Sequence, residues 1–356
     1  MLEIQKWLIQ NRFNYDLLNE QMGIKTNFHP DGRVILNYDQ IASYKFKTNE
    51  IVRECRGLVL DSEANLIARG FRRFFNLNEI EEEFDWSNFH TFEKVDGSLV
   101  LIYFWNGEFH INTRNSYSTA TINDHEITWR ELIESALPKN YKEIFNPQYC
   151  YIGEICSRYN KIVRDYPTTT FFLLSIFHGQ DELSVEDYLL HAKTVNLKLS
   201  PTLPMSSKED VLNFLQEKEI SDPTFEGCVL RDQYNNRLKT KSKSYVRLHH
   251  IFSTGEPKTE VLIEIILKGE EGEVLTFWPE YTSRIEQIKK NYSKLFKEVE
   301  NLWYCFHDED NRKRFALSVK DHPMSSVLFQ LKDGKGEVKE LFDRLIIKKP
   351  ELLEKK

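Results

Sequence analysis

The stretch FEKVDGSLVLIYFWNGEFHINT, residues 92–113, decides the fold of this chain. Two apolar runs, 99–104 and 109–113, flank Asn106-Gly107. An Asn-Gly pair between such runs predicts a β-hairpin, because both positions of the tight turn need a positive φ. Lys94 stands just before the hairpin, next to a tight turn at Asp96-Gly97. The stretch therefore predicts a β-sheet with a lysine amine at the end of one of its strands.

The segments around the hairpin alternate between short strands and helices. A first helix is expected from about residue 2 to 20, and short β-rich segments follow it up to roughly residue 115. The pattern further predicts helices near 127–137 and 208–218, strands near 149–155 and 170–177, and two closing strands, GCVLRD and NRLKTKSKSYV. This order is typical of an α+β fold with mostly antiparallel strands.

The pattern changes after residue 250, where strand alternation nearly disappears. Apolar residues recur at alternating steps of four and three from Tyr281 to Phe306, which predicts a long helix with one apolar stripe. Helices are also expected near 311–319 and 336–346, and a frayed end at 348–356. We predict a boundary near residue 252, between a mostly antiparallel domain, 1–252, and an all-α domain, 253–356.

Composition restricts the classes of protein that this chain can belong to. Hydrophobic residues make up 40% of the 356 residues, so a large core can form and general disorder is excluded. The net charge is 48 − 55 = −7, which excludes a general polyanion binder. The five cysteines form no close pair, which favours a reducing compartment. With no apolar run of membrane-spanning length and no signal peptide, we expect a cytoplasmic protein, in the host cytoplasm if it is viral.

Carboxylates and basic residues recur downstream of Lys94. Glu154 ends the apolar segment Tyr151–Gly153, and Glu226 precedes a glycine and a buried strand. With a period of two, one face of a later strand carries four basic side chains: Arg237, Lys239, Lys241 and Lys243. Each feature has an ordinary alternative, namely a surface turn with a solvated lysine, solvated strand ends, and an edge strand protected by lysines.

Together these residues suit nucleotidyl transfer. A lysine nucleophile must lose its proton, although a free lysine titrates near about 10.4. Neighbouring ammonium groups such as Lys239 and Lys241, or a bound metal, lower the pKa of Lys94 and stabilise charge on a phosphoryl group. Glu154 and Glu226 can orient the amine, a ribose hydroxyl or magnesium-bound water. This set suits attack by Lys94 on the α-phosphate of a nucleoside triphosphate.

The motifs resemble those of a known superfamily. KVDGS at 94–98, YIGE at 151–154, EGCVL at 226–230 and LKTKS at 238–242 resemble, in this order, motifs I, III, IV and V of the covalent nucleotidyltransferases. Upstream, ECRG at 54–57 and RFFNLNE at 73–79 are similar to segments of the phage RNA ligase 1 family. NKIV at 160–163 and YVRLH at 245–249 extend the resemblance, which covers about residues 30–250.

The resemblance implies a nucleotidyltransferase (ATP-grasp-like ligase) domain and an ATP-dependent RNA ligase that uses magnesium, with manganese as an alternative. Lys94 would take AMP from ATP, AMP would pass to a 5′-phosphate RNA end, and a 3′-hydroxyl would displace it. The implied catalytic residues are Lys94, Glu154, Glu226, Lys239 and Lys241. The implied nucleotide contacts are Tyr38, Arg56, Arg73, Phe75, Gly97 and Arg114, and the implied metal ligands are Glu271 and Glu273.

Some of these residues depart from the family pattern. Arg73 and Arg114 stand where family members carry lysine, and arginine adds a fork that can hold phosphate. Tyr38 is the nearest match to a nucleotide-contacting tyrosine, although Leu36 can also be aligned there. Glu154 would bind ribose, Phe75 would pack on the nucleotide, and Gly97 would let the backbone approach it. A solvated acidic turn is the alternative reading of Glu271 and Glu273.

The expected partner is RNA with 5′-phosphate and 3′-hydroxyl ends, such as a broken tRNA loop. A separate polynucleotide kinase/phosphatase would prepare these ends, and we expect a monomer. Two alternatives stay open: a DNA-end or capping-type nucleotidyltransferase, and a non-catalytic RNA-binding module on the same fold. Ser98 and the helical tail argue against the first, because DNA ligases and capping enzymes continue into a β-barrel. The intact Lys94 argues against the second.

Overall fold

The computed structural model describes residues 1–39, 41–79, 83–122, 126–222, 224–246, 258–269, 271–272, 275 and 281–354. The chain divides into two compact units, Met1–His249 and His250–Lys356. The roles assigned to the two predicted domains remain predictions. In the described part of the chain, no helix is both long and apolar enough to cross a membrane.

Strands dominate the first unit. In chain order they are β1 (Ile24–Phe28), β2 (Val34–Tyr38), β3 (Arg56–Leu60), β4 (Leu66–Ala68), β5 (Phe75–Asn76), β6 (Phe89–Glu93), β7 (Ser98–Trp105), β8 (Glu108–Thr113), β9 (Tyr149–Cys156), β10 (Thr170–His178), β11 (Asp181–Glu182), β12 (Lys198–Leu199), β13 (Thr202–Leu203), β14 (Gly227–Asp232) and β15 (Arg237–Lys241).

Helices flank these strands and make up most of the second unit. In chain order they are α1 (Glu3–Gln10), α2 (Tyr15–Met22), α3 (Glu50–Glu54), α4 (Trp129–Ala136), α5 (Tyr141–Ile144), α6 (Val185–Thr194), α7 (Lys208–Ser221), α8 (Thr259–Lys268), α9 (Thr282–Phe306), α10 (Arg312–Val319), α11 (Ser325–Lys332), α12 (Val338–Lys348) and α13 (Glu351–Glu354).

The strands of the described residues form three sheets. The first is the meander β1-β2-β3-β4, the second has the order β11-β10-β9-β7-β8 with β12 beside β10, and the third has the order β13-β6-β14-β15-β5. Most pairs are antiparallel, and β10–β12 and β15–β5 are parallel. The predicted hairpin joins β7 to β8, with φ values of 47° at Asn106 and 86° at Gly107. The predicted α+β class is confirmed.

The prediction of one helix from about residue 2 to 20 is wrong, because the structure contains two helices there, α1 and α2. Arg12 and Phe13 have φ values of 53° and 57°, which end α1, and the Asn14 side chain then accepts a hydrogen bond from the Leu17 amide to begin α2. Ile4, Leu8 and Leu18 are fully buried beside the first sheet. This packing compensates for the break in the helix.

The helical unit follows the predicted stripe. Ile285, Ile288, Tyr292 and Val299 of α9 are buried. The expectation of a frayed C-terminal end is wrong, because Leu353 of α13 is fully buried and its carbonyl accepts a hydrogen bond from Asn291 at 2.8 Å.

Candidate active site

Three strands of the third sheet bring the reactive side chains together. Lys94 follows β6, and its amide donates a 2.8 Å hydrogen bond to the carbonyl oxygen of Gly227 at the start of β14. Its Nζ lies 2.6 Å from Oε1 of Glu226, and Nζ of Lys241 on β15 lies 3.2 Å from the same oxygen. One buried carboxylate therefore bridges two ammonium groups. We call Lys94, Glu226, Lys241 and the neighbouring Glu154 the lysine–glutamate cluster.

The strand that carries Lys241 is internal. Because β15 pairs with β14 on one side and with β5 on the other, the alternative of an exposed edge strand is wrong. Arg237 and Lys241 are buried, and Lys243 lies beyond the end of the strand. Buried basic residues need partners, and here Arg237 pairs with Glu182 while Lys241 pairs with Glu226.

The turn after Lys94 is buried rather than an ordinary surface turn. The Asp96 side chain is 3% exposed and accepts hydrogen bonds of 2.9 Å from the amides of Val163 and Arg164 and from the Tyr245 hydroxyl. A carboxylate held by three donors is fixed in position. Val163, Arg164 and Tyr245 therefore hold the lysine turn in place.

Gly97 is required by packing against β9. A Cβ at this position would lie 2.4 Å from the carbonyl oxygen of Ile155 and 2.8 Å from Sγ of Cys156. No other side chain fits without a shift of β9. The predicted approach of this glycine to a nucleotide stays a prediction.

Glu154 lies on β9, in register with Leu99 of β7. Burial raises its pKa to about 8, against the attraction of Lys94 and with the repulsion of Glu226 adding to the increase. In the described residues, no side chain donates a hydrogen bond to this carboxyl group. Burial therefore favours the protonated form of Glu154, whereas a cation bound beside it would favour the carboxylate.

The pKa of Lys94 runs against our expectation. Burial lowers it most, and Lys241 lowers it as predicted, but Glu226 and Glu154 together raise it by more, so that the resulting pKa is raised. The reason is the 2.6 Å ion pair, which favours the ammonium form. Lys94 is therefore stored as a charged, oriented amine beside a carboxylate that can take its proton.

The first sheet contributes a second group around Tyr38, which is 5% exposed at the end of β2. The guanidinium carbons of Arg73 and Arg114 lie 4.5 Å and 4.6 Å from the centre of the Tyr38 ring. Arg56 begins β3 and interacts with Tyr38, Arg114 and Glu154. We call Tyr38, Arg56, Arg73 and Arg114 the arginine–tyrosine cluster.

The positive charges of this cluster lower the pKa values of two of its members, Tyr38 and Arg56. Burial alone would raise the pKa of Tyr38, but Arg114, Arg56, Arg73 and Lys239 lower it to about 7. Burial and the neighbouring Arg114 lower the pKa of Arg56 to about 10. The cluster thus holds more positive charge than its own groups neutralise.

Two guanidinium nitrogens in the cluster have no partner in the described structure. Nη1 of Arg56 and Nη1 of Arg73 are buried and make no hydrogen bond, and among the described residues Arg56, Arg73 and Arg114 form no ion pair. A buried donor without an acceptor is costly, so these two nitrogens favour the binding of an acceptor. The expected ligand is an anion.

Short β5 connects the two clusters. It runs parallel to β15, with Phe75 opposite Leu238 and Asn76 opposite Lys239. Phe75 is 1% exposed and lies 5.5 Å from the guanidinium carbon of Arg73. Its predicted contact with a nucleotide stays a prediction.

An open cavity lies beside Lys94, Glu154 and Arg56. The sequence analysis gave no role to the residues of its apolar lining, although three of them lie within the quoted motifs: Phe71, Phe74, Phe92, Val95, Leu99, Leu174 and Val229. Phe92 lies on β6, two residues before Lys94, so the period of two could have predicted it. The cavity offers a flat apolar space next to the lysine–glutamate cluster.

Glu271, one of the two predicted metal ligands, belongs to the second unit. Glu271 is buried in the helical unit and paired with Nζ of Lys289 at 2.6 Å, so it is not part of a solvated turn. Glu273 lies outside the described residues. In the described part of the chain, no cluster of three or more histidine, cysteine, aspartate or glutamate side chains could hold a metal. Their role as ligands stays a prediction.

Comparison with known proteins agrees with the motifs. A putative bifunctional polynucleotide kinase/RNA ligase of Autographa californica nuclear polyhedrosis virus is 28% identical over 285 residues, which cover 73% of this chain and 39% of the relative. The chain thus spans about two fifths of the length of that curated relative. A solved archaeal ATP-dependent RNA ligase shares the fold, with a TM-score of 0.51 at 17% identity over 90% of this chain and 89% of the other.

The model of a family described as RNA ligase matches residues 54–246, which is 193 of the 356 residues and includes every motif from ECRG to the tyrosine that holds Asp96. The resemblance inferred from the motifs is confirmed, and the chain belongs to this RNA ligase family.

Proposed function

We propose that this protein is an ATP-dependent RNA ligase that joins a 5′-phosphate end to a 3′-hydroxyl end through a lysyl-AMP intermediate. The observation that carries the proposal is the Glu226 carboxylate, which bridges Lys94 and Lys241 beside a cavity with an apolar lining. A nucleophile, a proton acceptor and a cation for the phosphoryl group then stand within hydrogen-bond reach of one another.

The first step starts from the Lys94 ammonium group. It passes one proton to Glu226, and the free amine attacks the α-phosphorus of ATP. The new P–N bond forms as the bond to the β-phosphate oxygen breaks, and pyrophosphate leaves with the electron pair. The nitrogen then loses its second proton to solvent. Lys241 stabilises the negative charge on the phosphoryl oxygens.

The two clusters would divide the nucleotide between them. The apolar part of the cavity suits the flat adenine ring, with the ribose near Glu154. The triphosphate would extend towards Arg56 and Arg73, whose buried Nη1 atoms need acceptors. Arginine is suited to this task because its planar fork matches phosphate oxygens.

Magnesium fits the residues of the lysine–glutamate cluster. It is typically held by one or two carboxylates together with substrate phosphates and water, and Glu154 has a carboxyl group without a hydrogen-bond donor in the described structure. Glu154 and Glu226 would hold the ion. When bound, it neutralises phosphate charge, and manganese can replace it.

RNA enters in the second and third steps. A 5′-phosphate oxygen attacks the phosphorus of lysyl-AMP, the P–N bond breaks, and Lys94 regains its proton. A 3′-hydroxyl then attacks the phosphorus of the RNA phosphate, loses its proton, and AMP leaves. The viral relative's name combines a kinase with a ligase, and we propose that a separate polynucleotide kinase/phosphatase prepares the ends for this protein.

Labelled ATP tests the first step. The protein is incubated with magnesium and ATP labelled at the α-phosphate, beside Lys94→Ala, after pyrophosphate has removed any bound AMP. We expect label that survives denaturation on the wild type and none on the variant. Chasing with 5′-phosphorylated RNA should release the label and yield sealed product.

Three parallel reactions separate the alternatives. Label from GTP instead of ATP would identify a capping-type enzyme, and sealing of DNA in preference to RNA would identify a DNA ligase. A wild-type protein that binds RNA but takes no label, with either magnesium or manganese, would contradict the proposal in favour of a binding module.

A further inference from the structure

A second concave surface adjoins the cavity, and of its charged residues only Arg73 has a role in the chemistry above. It encloses about 740 Å³ and lies wholly within the first unit. We call it the arginine groove after its basic and aromatic lining: Arg53, Arg69, Arg72, Arg73, Arg237 and Tyr234.

The charge of the groove is opposite to that of the chain. Its lining includes five arginines and two acidic residues, Asp181 and Glu182, so that its balance is 5 − 2 = +3. The whole chain carries −7. Positive charge concentrated in one concave surface of an acidic protein indicates an anionic ligand that is recognised locally.

Two of these arginines can serve a ligand. Arg69 is half-buried, donates a 3.2 Å hydrogen bond to the carbonyl oxygen of Gln180 and forms no ion pair among the described residues. Arg72 pairs with Glu50, but both side chains are more than 40% exposed. An exposed pair of this kind contributes little, so Arg72 can exchange it for a phosphate at small cost.

Tyr234 gives the groove an aromatic surface. It is 70% exposed in the turn between β14 and β15. Asp232 fixes that turn by accepting hydrogen bonds from the amides of Tyr234 and Asn236 at 2.9 Å and 2.8 Å. An exposed tyrosine on a fixed turn is suited to stacking with an unpaired base.

The groove and the cavity share a wall. Phe71, Phe74 and Arg237 line both of them. A polymer lying in the groove can therefore place one end beside Lys94. A chain of phosphates with unpaired bases matches the arginines, the tyrosine and this position together.

We propose that the arginine groove binds the single-stranded RNA whose end reacts, an inference that rests on the proposed ligase function. Arg69 and Arg72 contact backbone phosphates, and Tyr234 stacks on a base. The groove thus acts on RNA and not on the adenylylation of Lys94.

The test uses the full chain and 5′-phosphorylated oligoadenylate as the probe. Arg72→Glu, Arg69→Gln and Tyr234→Ala are compared with wild type, and Tyr234→Phe retains the ring. Arg130→Ala is the matched control, because Arg130 is a half-exposed arginine of the same unit that lines neither the cavity nor the groove. Lysyl-AMP formation, the KM values for ATP and RNA, and RNA binding against salt with EDTA present are measured.

We expect lysyl-AMP formation and the KM for ATP to stay within about twofold of wild type, because no base and no backbone phosphate of the RNA takes part in that step. The KM for RNA should rise about tenfold in Arg72→Glu and Tyr234→Ala, and Tyr234→Phe should behave like wild type. The slope of log affinity against log salt should become shallower by about 0.7 for each phosphate contact that is lost.

Three outcomes would overturn the inference. The first is variants that match Arg130→Ala in RNA affinity and in salt slope. The second is a raised KM for ATP with unchanged RNA binding, which would assign the groove to the triphosphate. The third is Tyr234→Phe weakening RNA binding as much as Tyr234→Ala, which would exclude stacking.

The two proposals fail separately. Binding in EDTA needs no chemistry, so a wild type that takes no AMP would contradict the ligase while the groove variants still report on RNA binding. Conversely, variants that form lysyl-AMP and bind RNA like wild type would contradict the groove alone. Arg69→Gln checks that a loss in Arg72→Glu reflects the groove and not the inverted charge.

Discussion

The two clusters of the first unit treat charge in opposite ways. In the lysine–glutamate cluster, the two cations share one buried carboxylate, and the contacts are 2.6 Å and 3.2 Å. In the arginine–tyrosine cluster, three arginines surround a phenol without an ion pair in the described structure, and two of their nitrogens have no acceptor. The lysine–glutamate cluster contains a carboxylate that pairs with its ammonium groups, whereas the arginine–tyrosine cluster contains no carboxylate.

This difference separates reaction from binding. Internal pairing fixes the Lys94 amine before any ligand arrives, as a nucleophile requires. Unpaired buried guanidinium groups gain most when phosphate enters, because the ligand removes their desolvation penalty. We therefore expect changes in the first cluster to act on the rate of adenylylation and changes in the second to act on nucleotide affinity.

The largest effect should follow Glu226→Gln. The amide cannot accept the Lys94 proton, so lysyl-AMP formation should slow by about 10²- to 10⁴-fold at saturating ATP. The pKa of Lys94 should also fall, because burial and Lys241 remain while the carboxylate that raises it is gone. Single-turnover labelling over a pH series measures both effects, and the exposed Glu63→Gln is the control. A slower rate with an unchanged pH profile would contradict the inference that Glu226 raises the pKa of Lys94.

Arg56→Ala should act mainly on affinity. Removing a charged donor to phosphate should raise the Kd for ATP by about 10- to 100-fold, since such hydrogen bonds contribute about 1.5–3 kcal/mol. Arg73→Lys, which keeps the charge but loses the fork, should raise it less. Calorimetric titration in the Lys94→Ala background measures binding without transfer of AMP. A normal Kd for ATP with a reduced rate of adenylylation would contradict the inference that the arginine–tyrosine cluster acts on nucleotide affinity.

Local signals in the sequence predicted most strands, whereas helix ends were predicted less well. The Asn106-Gly107 turn specifies its hairpin within a few residues, and the structure contains it. The break at Arg12 and Phe13 carries no comparable signal, because neither residue favours a positive φ. Helix α6 is absent from the predicted elements, although the Ser184 side chain accepts a hydrogen bond from the Asp187 amide and is an ordinary N-cap.

The motifs predicted the charged residues of the site because the reactive residue of each motif and the neighbours that identify it lie within a few positions of the sequence. The apolar wall of the cavity could not be predicted in this way. Phe71, Leu99 and Val229 come from different parts of the chain and meet only after the sheets pack. The raised pKa of Lys94 was missed for the same reason, since its distance to Glu226 depends on the pairing of β6 with β14.

Glu154→Gln should stabilise the protein at alkaline pH. The carboxyl has a pKa of about 8 in the folded protein and a lower one in the unfolded chain, so the folded state holds the extra proton between these values. Stability therefore falls as pH rises from about 4.5 to about 8, and the neutral amide removes this fall. We expect a gain of up to about 5 kcal/mol in the free energy of unfolding at pH 9 and little gain at pH 4, since each pKa unit corresponds to about 1.4 kcal/mol. Urea unfolding at both values measures it, and equal gains would contradict the raised pKa.

Tyr38→Phe should have the smallest effect and test the second cluster most directly. Because the pKa of Tyr38 is about 7, its phenol loses a proton as pH rises through neutrality, and the phenolate then neutralises one arginine charge. ATP binding to Lys94→Ala protein should therefore weaken about threefold between pH 6 and pH 8 relative to the same protein with Tyr38→Phe. Because both proteins bind the same ATP, the ligand's own titration cancels in the ratio. The near-ultraviolet absorbance of tyrosinate should appear over the same range and diminish when ATP is added, since phosphate charge raises the pKa again. Parallel binding curves would show that Tyr38 keeps its proton, and the arginine–tyrosine cluster would then be still more positive before the nucleotide arrives.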